Sequence, residues 1–180
     1  EGIDYSVVEN VSVDDSIVDP YIVEYFWMGC SHCQNLEPHI NKFSSDNEVK
    51  LIKKPAPLKE RWVLDAKVYY ALQETGNMEH YEELFKLYVD HGKKRSLPTA
   101  QDILKFLNSK GIDRKEFDQA MNSEVVNKQV QINLREMVHN SLTGVPKLII
   151  NGKYLAIPTD KIKTHGDYMK LVKYLLDKKD

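Results

Sequence analysis

Only two of the 180 residues are cysteine. Two cannot staple a miniature fold, and a chain this long buries a core without staples. Neither sign of charge dominates, since 25 Lys and Arg oppose 27 Asp and Glu for a formal net charge of −2. The basic footprint of a non-specific nucleic-acid binder is missing, so nucleic acid is not expected as a partner. No apolar run approaches the ~18 residues that suggest a membrane-spanning helix. Internal repeats and low-complexity stretches are absent too. The chain opens at Glu1-Gly2 without a basic segment followed by an apolar one. The expectation is a secretory leader removed before this point, or a cytosolic protein. The charged C-terminus, Leu176 to Asp180, is not an ER-retention signal. At 42% apolar and 29% charged, the composition is that of a soluble globular protein, one domain or one domain with a sizeable insertion.

Hydrophobic periodicity divides the chain in three. Tyr21 to Trp27 is β-branched, aromatic and apolar on both faces, which suits a central strand covered on both sides. Gly29 ends it, a helical pattern follows from Cys30 through Phe43, and Val49 to Lys53 reads as a second strand stopped by Pro55 and Pro57. From about Leu58 to Leu142 the period is helical throughout. Trp62, Ala66, Tyr69 and Leu72 share one helical face, and Tyr81, Leu84, Phe85 and Tyr88 share another. Thr99 with Asp102 reads as a capping box, and Asp113 with Glu116 and Ser123 open two further helices. Lys147 to Ile150, Asn151-Gly152 and Lys153 to Ala156 then form the strongest hairpin signal, because Asn-Gly supplies two positive-φ residues. A last amphipathic helix runs from Tyr168 through Leu176. Strand-helix-strand, a helical block, then strand-strand-helix predicts an α/β, thioredoxin-like fold with an inserted all-helical domain. The expected division is 1–57 with 143–180 for the frame and 58–142 for the insertion.

Both cysteines fall at Cys30-Ser31-His32-Cys33, between the buried-type strand and the helix. The unpaired N–H groups and the dipole of a helix N-terminus favour an anion at Cys30. His32 adds a positive or hydrogen-bonding influence, and the spacing lets Cys33 attack a mixed disulfide made by Cys30. Cys30 is the expected nucleophile and Cys33 the resolving thiol. Two other readings compete. A zinc site needs two more ligands, and neither His32 nor His39 completes a familiar spacing; no metal is expected. A purely structural bridge across two residues would restrict the unfolded chain very little. Redox chemistry is the stronger reading.

Glu24 to Cys33 resembles the active-site segment of the DsbA family of bacterial thiol:disulfide interchange proteins. Gly144-Val145-Pro146 and Asn151 to Tyr154 resemble that family's second active-site loop and hairpin. Tyr69 to Leu72, Phe117 to Ala120 and Asn122-Ser123 resemble parts of its inserted helical domain, so the likeness runs over nearly the whole chain. Ser31 departs from the family's usual proline, and the dipeptide between the cysteines tunes redox potential. The resemblance implies a dithiol oxidase that needs no cofactor beyond the Cys30–Cys33 disulfide. It further implies folding secreted proteins as substrates, a quinone-linked membrane reoxidant of the DsbB type and a periplasmic setting. No separate dimerisation segment is visible, so a monomer is expected.

Four supporting residues remain. Pro146 either merely starts a strand or, as the family implies, follows a cis peptide that sets Val145 beside the cysteines to pair with extended substrate. Glu24 interrupts an apolar strand, and a buried carboxylate needs a partner. The family likeness makes Lys53 that partner, in a pair that manages protons for Cys33, although either residue could be structural. His39, His80, His91, His139 and His165 read as surface or capping residues. The alternatives to an oxidase are a disulfide reductase or isomerase, and a peptide-binding chaperone module with vestigial redox activity.

Overall fold

The structure, a computed structural model, describes residues 4–178. Its elements are β1 (Tyr5–Val7), β2 (Tyr21–Phe26), α1 (Ser31–Asp46), β3 (Lys50–Pro55), α2 (Glu60–Glu74), α3 (Tyr81–Lys93), α4 (Ala100–Ser109), α5 (Arg114–Met121), α6 (Glu124–His139), β4 (Lys147–Ile150), β5 (Tyr154–Ala156) and α7 (His165–Leu176). A single 3₁₀ turn, Met78–His80, precedes α3. The five strands form one sheet in the order β1-β5-β4-β2-β3. This is the thioredoxin-like frame with a helical insertion in sequence between β3 and β4.

By their internal contacts the residues fall into two units. The first comprises Glu1–Phe26, His32–Lys54 and Arg135–Asp180, and the second comprises Trp27–Ser31 and Pro55–Leu134. In the first unit β2 is buried at all six positions, as its unbroken apolar character predicts. Ile22, Leu148 and Ile150 of the sheet pack with Leu36 and Ile40 of α1 and Val172 and Leu175 of α7 in one core. The helix α7 starts three residues before its apolar stripe, because Thr164 caps it by accepting from the Asp167 N–H.

The second unit is helical. Its α2 is buried nearly all round, from Asp65 through Leu72, so no one-sided stripe could describe it. The Thr99–Asp102 capping box is present at the start of α4, and the Asp113 side chain caps α5. Buried Asn133 donates to the Pro55 carbonyl and to the Tyr70 hydroxyl, at 2.8 Å each.

Beyond shifts at element ends, such as β3 running on to Pro55 where the sequence reading stopped at Lys53, two local features differ from the sequence reading. The edge strand β1 was not anticipated, because three residues carry no period. It exists through its pairing with β5, Tyr5 opposite Ala156. The hairpin strand resumes at Tyr154 and not at Lys153, since the register sets Ile150 opposite Tyr154. The Lys153 N–H closes the turn onto the Ile150 carbonyl, and its own carbonyl accepts from Val8 instead of joining the ladder. Asn151 and Gly152 do take the positive φ values of 51° and 64° that the turn needs.

Gly152 is confined twice over, by that φ and by Tyr21, whose hydroxyl would lie 2.6 Å from an added Cβ. Gly152→Ala should cost about 1–2 kcal/mol from the left-handed conformation, more with the contact, and lower the urea midpoint. Gly166, in the first turn of α7 at an ordinary φ with no contact closer than 3.5 Å, should respond oppositely. Gly166→Ala is expected to gain up to ~1 kcal/mol.

Candidate redox site

The segment between β2 and α1 is a tight turn. The Cys30 N–H donates to the Trp27 carbonyl at 3.0 Å, and α1 begins at the next residue, Ser31. Gly29 is required there for space. A Cβ would lie 2.5 Å from the Trp27 indole and 2.7 Å from Leu97. The indole thus folds back over its own turn, and only glycine leaves room for it.

This geometry puts Cys30 immediately ahead of the first helical residue, half-buried, and Cys33 inside the first turn at 0% exposure. The N–H groups that open a helix and the helix dipole favour negative charge at Cys30. Ser31 and His32 lie exposed between the two cysteines. One thiol is reachable and the other is shielded, the asymmetry that a nucleophile and a resolving thiol require.

Below the first turn is a buried ionic cluster. Glu24, at 0% exposure in β2, accepts a hydrogen bond from the Lys53 ammonium of β3 at 2.8 Å. The same ammonium reaches Glu37 of α1 at 2.6 Å and lies 4.7 Å from the Phe26 ring centroid. Burial works against the charged lysine, but the two carboxylates outweigh it and hold the Lys53 pKa above its usual value. Glu37 was missed in the sequence although its signal was legible. The buried side of α1 is Cys33, Leu36, Glu37 and Ile40, an i, i+3, i+4, i+7 stripe with a carboxylate at an apolar position. It stands one turn beyond Cys33 on the same face.

The residues that follow one another in β2 and β3 point to opposite faces. Tyr25 and Lys54 accordingly meet a different acid, Glu136 of α6. The Tyr25 hydroxyl donates to Glu136, and the Lys54 ammonium lies 2.6 Å from it. Burial pushes the Lys54 pKa down, and Glu136 only partly offsets this.

The Val145–Pro146 peptide is cis, and both residues are half-buried. Antiparallel pairing sets Lys147 opposite Tyr25 and Leu148 opposite Glu24. That register carries Pro146 to the level of Phe26, the end of β2 that leads to the cysteines. Two of the histidines form a ring stack away from the motif, His39 on His165 with centroids 4.5 Å apart. Among the described residues no group of three or more His, Cys, Asp or Glu could hold a metal ion.

A family model described as "DSBA-like thioredoxin domain" matches residues 61–170. Thiol:disulfide interchange protein DsbA of Pseudomonas aeruginosa is 28% identical over 159 residues, covering 87% of this chain and 74% of the relative. A match of that extent in a 180-residue chain necessarily includes residues 30–33. The Burkholderia cepacia protein of the same name is 29% identical over 163 residues, covering 88% of this chain and 76% of its own length. The crystal structure of Pseudomonas aeruginosa DsbA superposes with a TM-score of 0.76 at 26% identity, covering 98% of this chain and 92% of that one.

The ionic cluster makes a stability prediction. Lys53→Met strands two buried carboxylates, a change of the kind that costs ~3–5 kcal/mol, and the loss should shrink in mild acid as a carboxylate protonates. The folded Lys53 pKa is raised. The stabilisation it provides is therefore full below the unfolded lysine value of ~10.4 and is lost as pH rises through the folded one. Wild-type stability should fall in strong alkali along a limb that Lys53→Met lacks, as denaturant titrations at several pH values would show.

Proposed function

Since the chain belongs to the DSBA-like thioredoxin domain family, we propose that it is a protein thiol:disulfide oxidoreductase whose Cys30–Cys33 disulfide oxidises the thiols of folding secreted proteins. The observation that carries this reading is the half-buried Cys30 at the mouth of α1 above a fully buried Cys33. A substrate thiolate attacks the Cys30 sulfur, the Cys30–Cys33 bond breaks, and Cys33 leaves as a thiolate that takes up a proton. A second substrate thiolate then attacks the substrate sulfur of the mixed disulfide and releases Cys30 as a thiolate. Two electrons pass from the substrate dithiol to the enzyme pair.

Each surrounding residue has a part in this scheme. The helix N-terminus and His32 favour the Cys30 thiolate, and Ser31 sets how strongly. Glu24, Lys53 and Glu37 supply and remove the proton of Cys33, supported by their 2.8 and 2.6 Å contacts one turn below it. Val145, held before Pro146 at the level of Phe26, pairs through its backbone with extended substrate. The setting is the periplasm, the protein is a monomer, and a quinone-linked membrane protein of the DsbB type restores the disulfide. The chemistry uses no cofactor beyond the cysteine pair.

Equilibration with glutathione tests the direction of the reaction. The expected potential lies well above that of thioredoxin, ~−270 mV, and catalysed oxidation of a reduced, unfolded protein should vanish in Cys30→Ala. A potential near the thioredoxin value would make the protein a reductase. Peptide holding that survives in Cys30→Ala, with no oxidation by the wild type, would make it a chaperone.

A second expectation is that reduction stabilises the fold. The disulfide closes too short a loop to restrict the unfolded chain. In the reduced protein the helix terminus holds the Cys30 pKa below the free-thiol value of ~8.5. An acid with a depressed folded pKa adds stability that is full above the unfolded pKa and is lost as pH falls through the folded one. Reduced protein should unfold at higher denaturant than oxidised protein at pH ~7, with the gap closing by pH ~4, each unit of pKa shift being worth ~1.4 kcal/mol. A more stable oxidised form at neutral pH would make the disulfide structural.

A further inference from the structure

Asp65 is a carboxylate buried in α2 at 2% exposure, far from the cysteines in sequence. Its two oxygens accept from three donors in four contacts. Trp27 Nε1 lies 2.7 Å from one oxygen and the Tyr88 hydroxyl 2.6 Å from the other, while Arg61 Nε bridges both at 3.0 and 2.9 Å. Four contacts match the ~4 lone-pair sites that an ionised carboxylate offers. Arg61 is fixed in turn by its bond to the Pro98 carbonyl at 2.9 Å. Burial, and then the Asp65 charge, hold the Tyr88 phenol well above its usual pKa, so it stays a donor.

The group that Asp65 grips in the redox segment is the Trp27 indole. An indole N–H can only donate, and this one is half-buried, so losing its acceptor would leave it poorly satisfied. Trp62 stacks on the indole's face, centroids 4.7 Å apart at 19°, while its edge rests over Gly29. The Trp27 carbonyl holds the Cys30 N–H. The orientation of one ring therefore fixes the turn that delivers Cys30 to the start of α1.

We propose that Asp65 is a positioning residue for the Cys30 thiol, acting through the Trp27 indole, a role that rests on Cys30 being the sulfur that forms the mixed disulfide and leaves it as a thiolate. It works as an acceptor and not as a charge, because Arg61 already pairs with it. Without that acceptor the indole is released, the turn loosens, and the Cys30 sulfur no longer holds its place over the N–H groups of the first turn.

Titration of the Cys30 thiolate by its ultraviolet absorbance, in reduced protein, tests this. Asp65→Leu removes every acceptor, and Trp27→Phe removes the donor. Each should raise the Cys30 pKa by about one unit, close to tenfold less thiolate at any pH below it. The double variant should go no further than either single one. Asp65→Asn can turn its amide nitrogen toward Tyr88, whose hydroxyl can accept, and keep its oxygen for Trp27; it should stay near wild type. A bare negative charge would give the reverse pattern, with both Asp65 variants lowering the pKa. A Trp27→Phe protein that titrates like wild type overturns the proposal even if Asp65→Leu fails to fold. An Asn variant shifted as far upward as Leu overturns it too. If the wild-type thiol itself titrates near ~8.5, the reading of Cys30 falls and this role with it. A low wild-type value that neither variant moves removes Asp65 alone.

Discussion

A strand with no side open to water must settle every polar group it carries within the protein. β2 is such a strand, and it carries Glu24 and the Tyr25 hydroxyl on consecutive residues, hence on opposite faces. β3 supplies the answering charges in the same alternation. Lys53 goes to Glu24 and Glu37, and Lys54 goes to Glu136. Helix α1 is tied to the sheet through Glu37 and the end of α6 through Glu136. Glu136 also accepts from the backbone and side chain of Ser12, so the segment before β2 is fastened by the same acid. Such pairs are weak sources of net stability, because desolvation consumes most of the attraction. What they supply is definition, since each partner is costly without the other.

The helical unit repeats this logic with a single acid. Asp65 faces only donors, from Arg61, Tyr88 and Trp27. The segment Trp27–Ser31 groups with the helical unit by its contacts, although in sequence it leads directly from β2 to α1. The cysteine pair thus has supports of two kinds. The ionic cluster stands below Cys33, and the indole holds the turn before Cys30.

Much of this was legible in the residues. The doubly apolar β2, the cysteine pair at a strand-to-helix step, the capping box at Thr99 and the Asn-Gly turn each announce a local conformation through a short-range rule. Glu24 and Lys53 were legible as partners only through a family likeness, since nothing local says which lysine answers a buried acid. Glu37 could have been read from its place on the buried stripe of α1. Asp65 could not. Its i, i+4 spacing from Arg61 reads as an ordinary helix-surface pair, and its other donors come from residues 27 and 88, so only the tertiary structure assembles them. β1 escaped for a similar reason, as its three residues are a strand because β5 lies beside them.

The chain has two tryptophans, and both are in the stack that braces the redox turn. Every photon of indole emission therefore originates three residues from Cys30 or from the ring lying against that one. Ten tyrosines stand as donors that can pass excitation to the pair. A change of oxidation state, a bound peptide or a loosened turn would alter the surroundings of the only two indoles in the chain. The protein carries a built-in optical reporter beside its cysteine pair, one that needs no label.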